Sequence, residues 1–308
     1  MILFIDDFNG ISGDILLASF IDAGFPLEIL KDNLKKINIE NEFEIFPEKV
    51  NSFGLSGTKI KITEKPLKSR KFIDIKNLII RSNLDRSIKD LSLKILLNLA
   101  EVEASIHSID INEVHFHEIG AIDTLIDAIG VASAINFFNI EECYISEIQL
   151  GKGKIHISHG TYPNPAPATL ELLKGYRIKF LNLEKEITTP TGAAIIKSLN
   201  CKQDDNLSII PEIIGYGFGH YKFDDRPNFS RIIIGICEEN LEFNSKIIEI
   251  NFNVDDMTGE EIGYFISEIM KQNILDISVI STITKKNRPG YLITILVNDI
   301  NEKLLKNY

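Results

Sequence analysis

The sequence predicts an α/β fold, with a larger N-terminal domain over residues 1–240 and a smaller ferredoxin-like segment over residues 246–308. Three observations lead there. Strand and helix signals alternate through the first two thirds of the chain. A polar stretch from Glu238 to Ser245 then interrupts the apolar pattern, and a β-α-β-β order follows it.

Residues 1–6 read as a short apolar strand, followed by an Asp/Gly loop and a helix over about 14–23. Residues 43–64 hold two extended runs around Asn51-Ser52-Phe53-Gly54 and predict a hairpin. From 87 to 107, Ile88, Leu91, Ile95, Leu99, Val102 and Ile106 recur at helical spacing and define one buried face. A further helix is predicted over 121–138, then extended segments over 143–150 and 154–158. Pro163, Pro165 and Pro167 punctuate a loop before a short helix over 169–174. Two extended runs, 207–214 and 230–237, flank a predicted glycine loop, Gly215-Tyr216-Gly217-Phe218-Gly219.

In the C-terminal segment, 247–254 reads as a strand and Thr258 opens a helix with Glu261 three residues on, a capping-box pattern. Strands over 274–284 and 291–297 bracket a basic turn. This β-α-β-β order is the first two thirds of a ferredoxin-like unit, so an unfinished domain is expected.

Composition narrows the function classes. The 308 residues carry 33 Lys and Arg against 44 Asp and Glu, a net charge of −11 that opposes general binding to nucleic acid or anionic lipid. No apolar run approaches the roughly 18 residues of a membrane span, and Met1-Ile2-Leu3-Phe4-Ile5-Asp6 lacks a basic lead, so a cytoplasmic chain is expected. Cys143, Cys201 and Cys237 are isolated, which excludes a disulfide framework and a thiolate zinc cluster. A metal would therefore meet His, Asp, Glu or a small-molecule ligand. Four of the six histidines fall between 115 and 159.

Several motifs suit ligands, and each also has a purely structural reading. In the loop from Asp6 to Asp14, Asp6 and Asp14 are placed to hold a hydrated cation and the glycines to admit a ligand; alternatively Ser12 or Asp14 caps the helix. His115-Phe116-His117-Glu118 sets two imidazoles on one side of an extended segment. Asp123 and Asp127 then share a helix face, giving a nitrogen-and-oxygen set suited to nickel, manganese or zinc. Hydrogen bonds to neighbouring carbonyls are the alternative. His156 and His159 precede the stiff Pro-rich loop, and Thr188 to Ala194 offers hydroxyls and amides at a helix start. Gly215 to Gly219 opens no helix, so a Rossmann reading fails. Lys285-Lys286-Asn287-Arg288-Pro289-Gly290 concentrates cations suited to a triphosphate, with Asp255 and Asp256 available for its divalent ion; a solvated hairpin tip is the alternative.

Seven stretches in order carry a resemblance: DDFNGISGD (6–14), HFHEIGAIDTLID (115–127), HGTYPNPAPATLELLKG (159–175), TPTGAA (189–194), GYGFG (215–219) with a later RPN (226–228), NVDDMTGEEIGY (253–264) and KKNRPG (285–290). Together they resemble the LarC family of nickel insertion proteins, which mature the nickel-pincer cofactor of lactate racemase. The resemblance implies a cyclometallase of the lyase class that inserts Ni(II) into pyridinium-3,5-bisthiocarboxylic acid mononucleotide, using CTP with Mg or Mn. By position it implies nickel handling by His115, His117, Glu118 and Asp123, with His156 and His159 as second candidates. It implies CTP phosphate contacts from Lys285, Lys286, Asn287 and Arg288, and a divalent ion at Asp255 or Asp256. Family members continue past the KKNRPG turn, so a truncated chain is expected, homo-oligomeric when its C-terminal domain is complete. The implied partners are the enzyme that receives the cofactor and, on a second reading, a separate C-terminal LarC chain without which this one only carries nickel. A third reading, from the Asp/Gly loop and the histidines alone, is a metal-dependent nucleotide phosphohydrolase.

Overall fold

The apolar N-terminal run becomes β1 (Ile2–Asp6), an inner strand of a six-stranded mixed sheet. A computed structural model describes residues 1–64, 70–114, 121–157, 160–237, 247–272 and 274–298. It divides into two compact units, Met1–Cys237 and Glu238–Tyr308. The α/β class is as predicted, and no described helix is long and apolar enough to cross a membrane.

The large sheet of the first unit has the order β2-β3-β9-β10-β1-β4. Its strands are β2 (Phe43–Ser52), β3 (Leu55–Glu64), β4 (Glu142–Ile145), β9 (Ile209–Phe218) and β10 (Phe229–Cys237) besides β1. β1 runs parallel to β4 and antiparallel to β10. The predicted hairpin turns at Phe53 and Gly54, with φ of 51° and 80°, the left-handed pair that a two-residue turn needs to match strand twist. Short pairs form from β5 (Ile148–Leu150) with β8 (Ile178–Phe180), and from β6 (Lys154–Ile157) with β7 (Gly160–Pro163).

Helix α1 (Gly13–Asp22) is apolar nearly all round: Ile15, Leu16, Leu17, Ala18 and Phe20 are all buried. Such a helix belongs inside. It lies on β9, β3 and β10 and is covered by α5 (Ala121–Phe137), which in turn packs on α2 (Leu27–Lys36) and α4 (Arg86–His107). The remaining helices are α3 (Phe72–Arg81), α6 (Pro167–Leu172) and α7 (Pro190–Ser198). α2 and α3 add to the predicted order. α6 begins two residues before expectation because Pro167 supplies the pre-set φ of a first helical position.

The predicted glycine loop at 215–219 is corrected: Gly215, Tyr216, Gly217 and Phe218 lie within β9. A Cβ on Gly217 would sit 2.0 Å from the carbonyl oxygen of Ile15, and one on Gly215 would sit 2.1 Å from that of Ser19. The glycines let α1 lie directly on the strand.

In the second unit, β11 (Ile247–Val254), α8 (Gly259–Ile269), β12 (Asp276–Thr284) and β13 (Arg288–Asn298) follow one another. β13 lies between the other two strands and is antiparallel to both, the arrangement of a split β-α-β unit. The capping box forms: Glu261 N donates to Thr258 Oγ1 at 3.3 Å, and Thr258 N donates to Glu261 Oε2 at 2.7 Å. Phe265 and Ile269 of α8 pack on Ile293, Ile295 and Val297 of β13.

Candidate functional site

The loop after β1 is fixed by Asp7. Its Oδ1 accepts from Gly10 N at 2.6 Å, its Oδ2 accepts from Gln149 N at 2.8 Å, and its own N–H donates to Ser146 Oγ. Burial pushes the Asp7 carboxyl up to about 7, against the two amides that favour its charged form, and the neighbouring Asp6 adds to the rise. Thr188 Oγ1 accepts from Ile11 N and donates to Gln149 O, while Thr189 N donates to Ile11 O at 3.0 Å. These bonds hold the start of α1 beside the start of α7. Both helix starts then face one cavity.

The cavity has a volume of about 370 Å³. Ser12, Gly13 and Asp14 enter from α1, Asp123, Thr124 and Asp127 from α5, and Thr189, Pro190 and Thr191 from α7. The last turn of α4 adds Glu103 and His107, with His107 Nε2 3.3 Å from Glu103 Oε2. Tyr162 of β7, Glu186 and His220 complete the polar wall, and Ile60 and Ile62 of β3 give it an apolar side. Among the described lining residues there are five carboxylates and two imidazoles, and no Lys or Arg. The wall therefore selects for positive charge, while the N-terminal ends of α1 and α7 supply local partial positive charge for an anionic group.

Two carboxylates stand out by their surroundings. Asp14 accepts from Ser12 Oγ through Oδ1, and its Oδ2 lies 3.5 Å from His220 Nε2. Asp127 is 5% exposed, and among the described residues its Oδ1 has no hydrogen-bond partner. Burial, then the charges of Asp14 and Asp123, hold the Asp127 carboxyl well above the usual carboxylate range.

Of the nickel ligands expected from the sequence, Asp123 lies on the cavity wall, exposed in the first turn of α5. His115, His117, Glu118 and His159 lie outside the described residues. His156 belongs to β6 opposite Thr161, with its side chain outside the description. Asp6 does not reach the cavity and instead pairs with Arg231, whose Nε lies 3.0 Å from its Oδ2. That pairing corrects the expectation of a cation shared by Asp6 and Asp14. Among the described residues, no three His, Cys, Asp or Glu side chains are gathered closely enough to hold a metal ion.

Sequence reasoning missed Glu103, His107, Tyr162, Glu186 and His220. Only the i, i+4 spacing of Glu103 and His107 marks them as a pair on one helix face, and that spacing does not reveal what the face looks onto.

In the second unit, Asp255 and the basic turn meet at one end of the sheet. Val254 pairs with Tyr291 and Thr284 with Arg288, and a Cβ on Gly290 would lie 3.5 Å from that of Asp255. Lys285 and Asn287 form a single 3-10 turn with Lys286 between them, and Arg288 is the first residue of β13. Lys285, Asn287, Arg288, Asp255 and Asp256 are all exposed; the Lys286 side chain lies outside the description.

Comparison with known proteins gives this arrangement a context. The nickel insertion protein family matches residues 3–308. Three relatives, each called a pyridinium-3,5-bisthiocarboxylic acid mononucleotide nickel insertion protein, are similar over nearly the whole chain. That of Clostridium kluyveri is 36% identical over 316 residues, covering 98% of this chain and 78% of the relative. That of Geobacillus kaustophilus is 36% identical over 316 residues, covering 96% and 77%. That of Clostridium acetobutylicum is 34% identical over 336 residues, covering 98% and 80%. No solved structure matches the chain. With the family pattern spanning it almost end to end, the chain belongs to the nickel insertion protein family.

Proposed function

We propose that this protein inserts Ni(II) into pyridinium-3,5-bisthiocarboxylic acid mononucleotide, acting in the cytoplasm as a cyclometallase of the lyase class that matures the nickel-pincer cofactor of lactate racemase. The observation that carries the proposal is the acid-walled cavity at the starts of α1, α5 and α7. The substrate brings two thiocarboxylates, a phosphate and a cationic ring. Its sulfurs are the soft donors, so the protein needs only borderline nitrogen and oxygen ligands that release nickel to them. The three cysteines of the chain are all buried, which fits that division.

On this reading His115, His117, Glu118 and Asp123 deliver nickel, with His156 and His159 assisting. The amides at the starts of α1 and α7 face the substrate's anionic groups, and the carboxylates face the ion and the ring. Lys285, Lys286, Asn287 and Arg288 hold the phosphates of CTP, and Asp255 or Asp256 its Mg or Mn ion. The approach of Gly290 to Asp255 supports that second assignment. Chelator-competition titration tests the nickel assignment: the wild-type chain binds Ni(II), and the double variant His115→Ala/His117→Ala binds it at least tenfold more weakly. Equal affinity in the two proteins would remove the histidines from the nickel path.

A further inference from the structure

Among the described residues, Asp127 is the one carboxylate of the cavity wall that is both buried and has an oxygen without a hydrogen-bond partner. Its exposure is 5%, its Oδ1 has no partner among the described residues, and it lines the cavity. An unpaired buried oxygen is costly unless something supplies its partner. Local packing has been shaped to allow the position: Oδ2 of Asp127 lies where a side chain on residue 13 would begin, 2.1 Å from an ideal Cβ, so only glycine there admits the carboxyl to the start of α1. The next residue along, Asp14, turns its own carboxylate to the same cavity between Ser12 and His220.

We infer that Asp127 and Asp14 form a seat for a divalent cation, with Asp123 at its rim, and that Ni(II) occupies this seat before transfer. The seat follows from the cavity itself; the identity of the ion rests on the nickel-insertion reading. No Lys or Arg in the described wall pairs with the buried Asp127 carboxyl, and a divalent ion would supply the partner that its Oδ1 lacks. Two carboxylates also leave most of the coordination sphere to water. A closed set of protein ligands would trap the ion, whereas exchangeable water lets the thiocarboxylate sulfurs replace it stepwise.

The test uses the full chain, stripped of metal and titrated with NiCl₂ against a chromophoric chelator with no substrate present. Asp127→Asn keeps the shape and removes the carboxylate that the ion would bind, and it is expected to weaken Ni(II) binding at least tenfold. Asp14→Asn, at the more accessible end of the seat, is expected to do the same and covers the case in which the first variant does not fold. Ni(II) affinity equal to wild type in a folded variant of either kind overturns the seat. Binding of nickel through these residues without formation of nickelated product leaves the seat standing and removes the insertion reading; product formation with unchanged nickel affinity in both variants does the reverse.

Discussion

Gly13 and Asp127 are in contact only because residue 13 has no side chain: an ideal Cβ there would lie 2.1 Å from Asp127 Oδ2 and 2.6 Å from its Cγ. The contact joins the first turn of α1 to α5 at the floor of the acidic cavity. Gly13→Ala therefore has to displace a buried carboxyl. Overpacking of this kind costs about 1–3 kcal/mol. Urea denaturation is expected to report that loss, together with weaker nickel binding.

The two buried aspartates set a pH dependence of known sign. The Asp127 carboxyl is held well above its ordinary 3.8, and that of Asp7 is held at about 7. The folded state thus binds their protons more tightly than the unfolded state does. Their contribution is complete below the unfolded value near 3.8 and is lost as pH rises through the folded value. Between about pH 4 and 7, Asp7 lowers stability by about 1.4 kcal/mol per pH unit, and Asp127 acts in the same direction. In metal-free buffer, Asp127→Asn is expected to be more stable than wild type at pH 8 and to lose that advantage at pH 4. Asp7→Asn is expected to be less stable at both, because its amide faces one of the two N–H groups that Asp7 accepts from Gly10 and Gln149. Thermal melts at the two pH values separate these outcomes.

Gly217→Ala tests how α1 is seated. The added Cβ would meet the Ile15 carbonyl oxygen at 2.0 Å and Ser19 Oγ at 2.5 Å, and backbone cannot rotate away as a flexible side chain does. A loss of about 3 kcal/mol, the upper part of the overpacking range, is expected in chemical denaturation. Since α1 carries Asp14, nickel affinity is expected to fall with stability.

The basic turn makes a separate prediction. A hydrogen bond from a charged donor to phosphate contributes about 1.5–3 kcal/mol. Lys285→Ala and Arg288→Ala are therefore each expected to raise the CTP concentration for half-maximal product formation by about tenfold or more. Nickel affinity measured without CTP is expected to stay at the wild-type value. An unchanged CTP requirement in both variants removes the turn from CTP binding.

Much of the fold is legible in the sequence because most elements bury one face. Ile88, Ile95, Leu99 and Val102 mark α4, and the capping pair Thr258 and Glu261 marks α8. The glycines of β9 are not legible as strand residues, since the reason for them is α1, some 200 positions earlier in the chain. The site divides along the same line. Asp123 and Asp127 are readable as an i, i+4 pair on one helix face. Glu186 and His220 reach the cavity through long-range topology that local spacing does not encode. Asp6 reads as a ligand from its loop, but its partner is Arg231 on the neighbouring strand β10.

The most direct test of the account is a single reconstitution. The full chain is incubated with Ni(II), pyridinium-3,5-bisthiocarboxylic acid mononucleotide, CTP and Mg(II), and the small molecules are analysed by mass spectrometry. The account predicts a nickel-bearing form of the mononucleotide that requires the protein and is depleted in Asp127→Asn. Recovery of the mononucleotide free of nickel, from wild-type protein shown to bind Ni(II) under the same conditions, would contradict it.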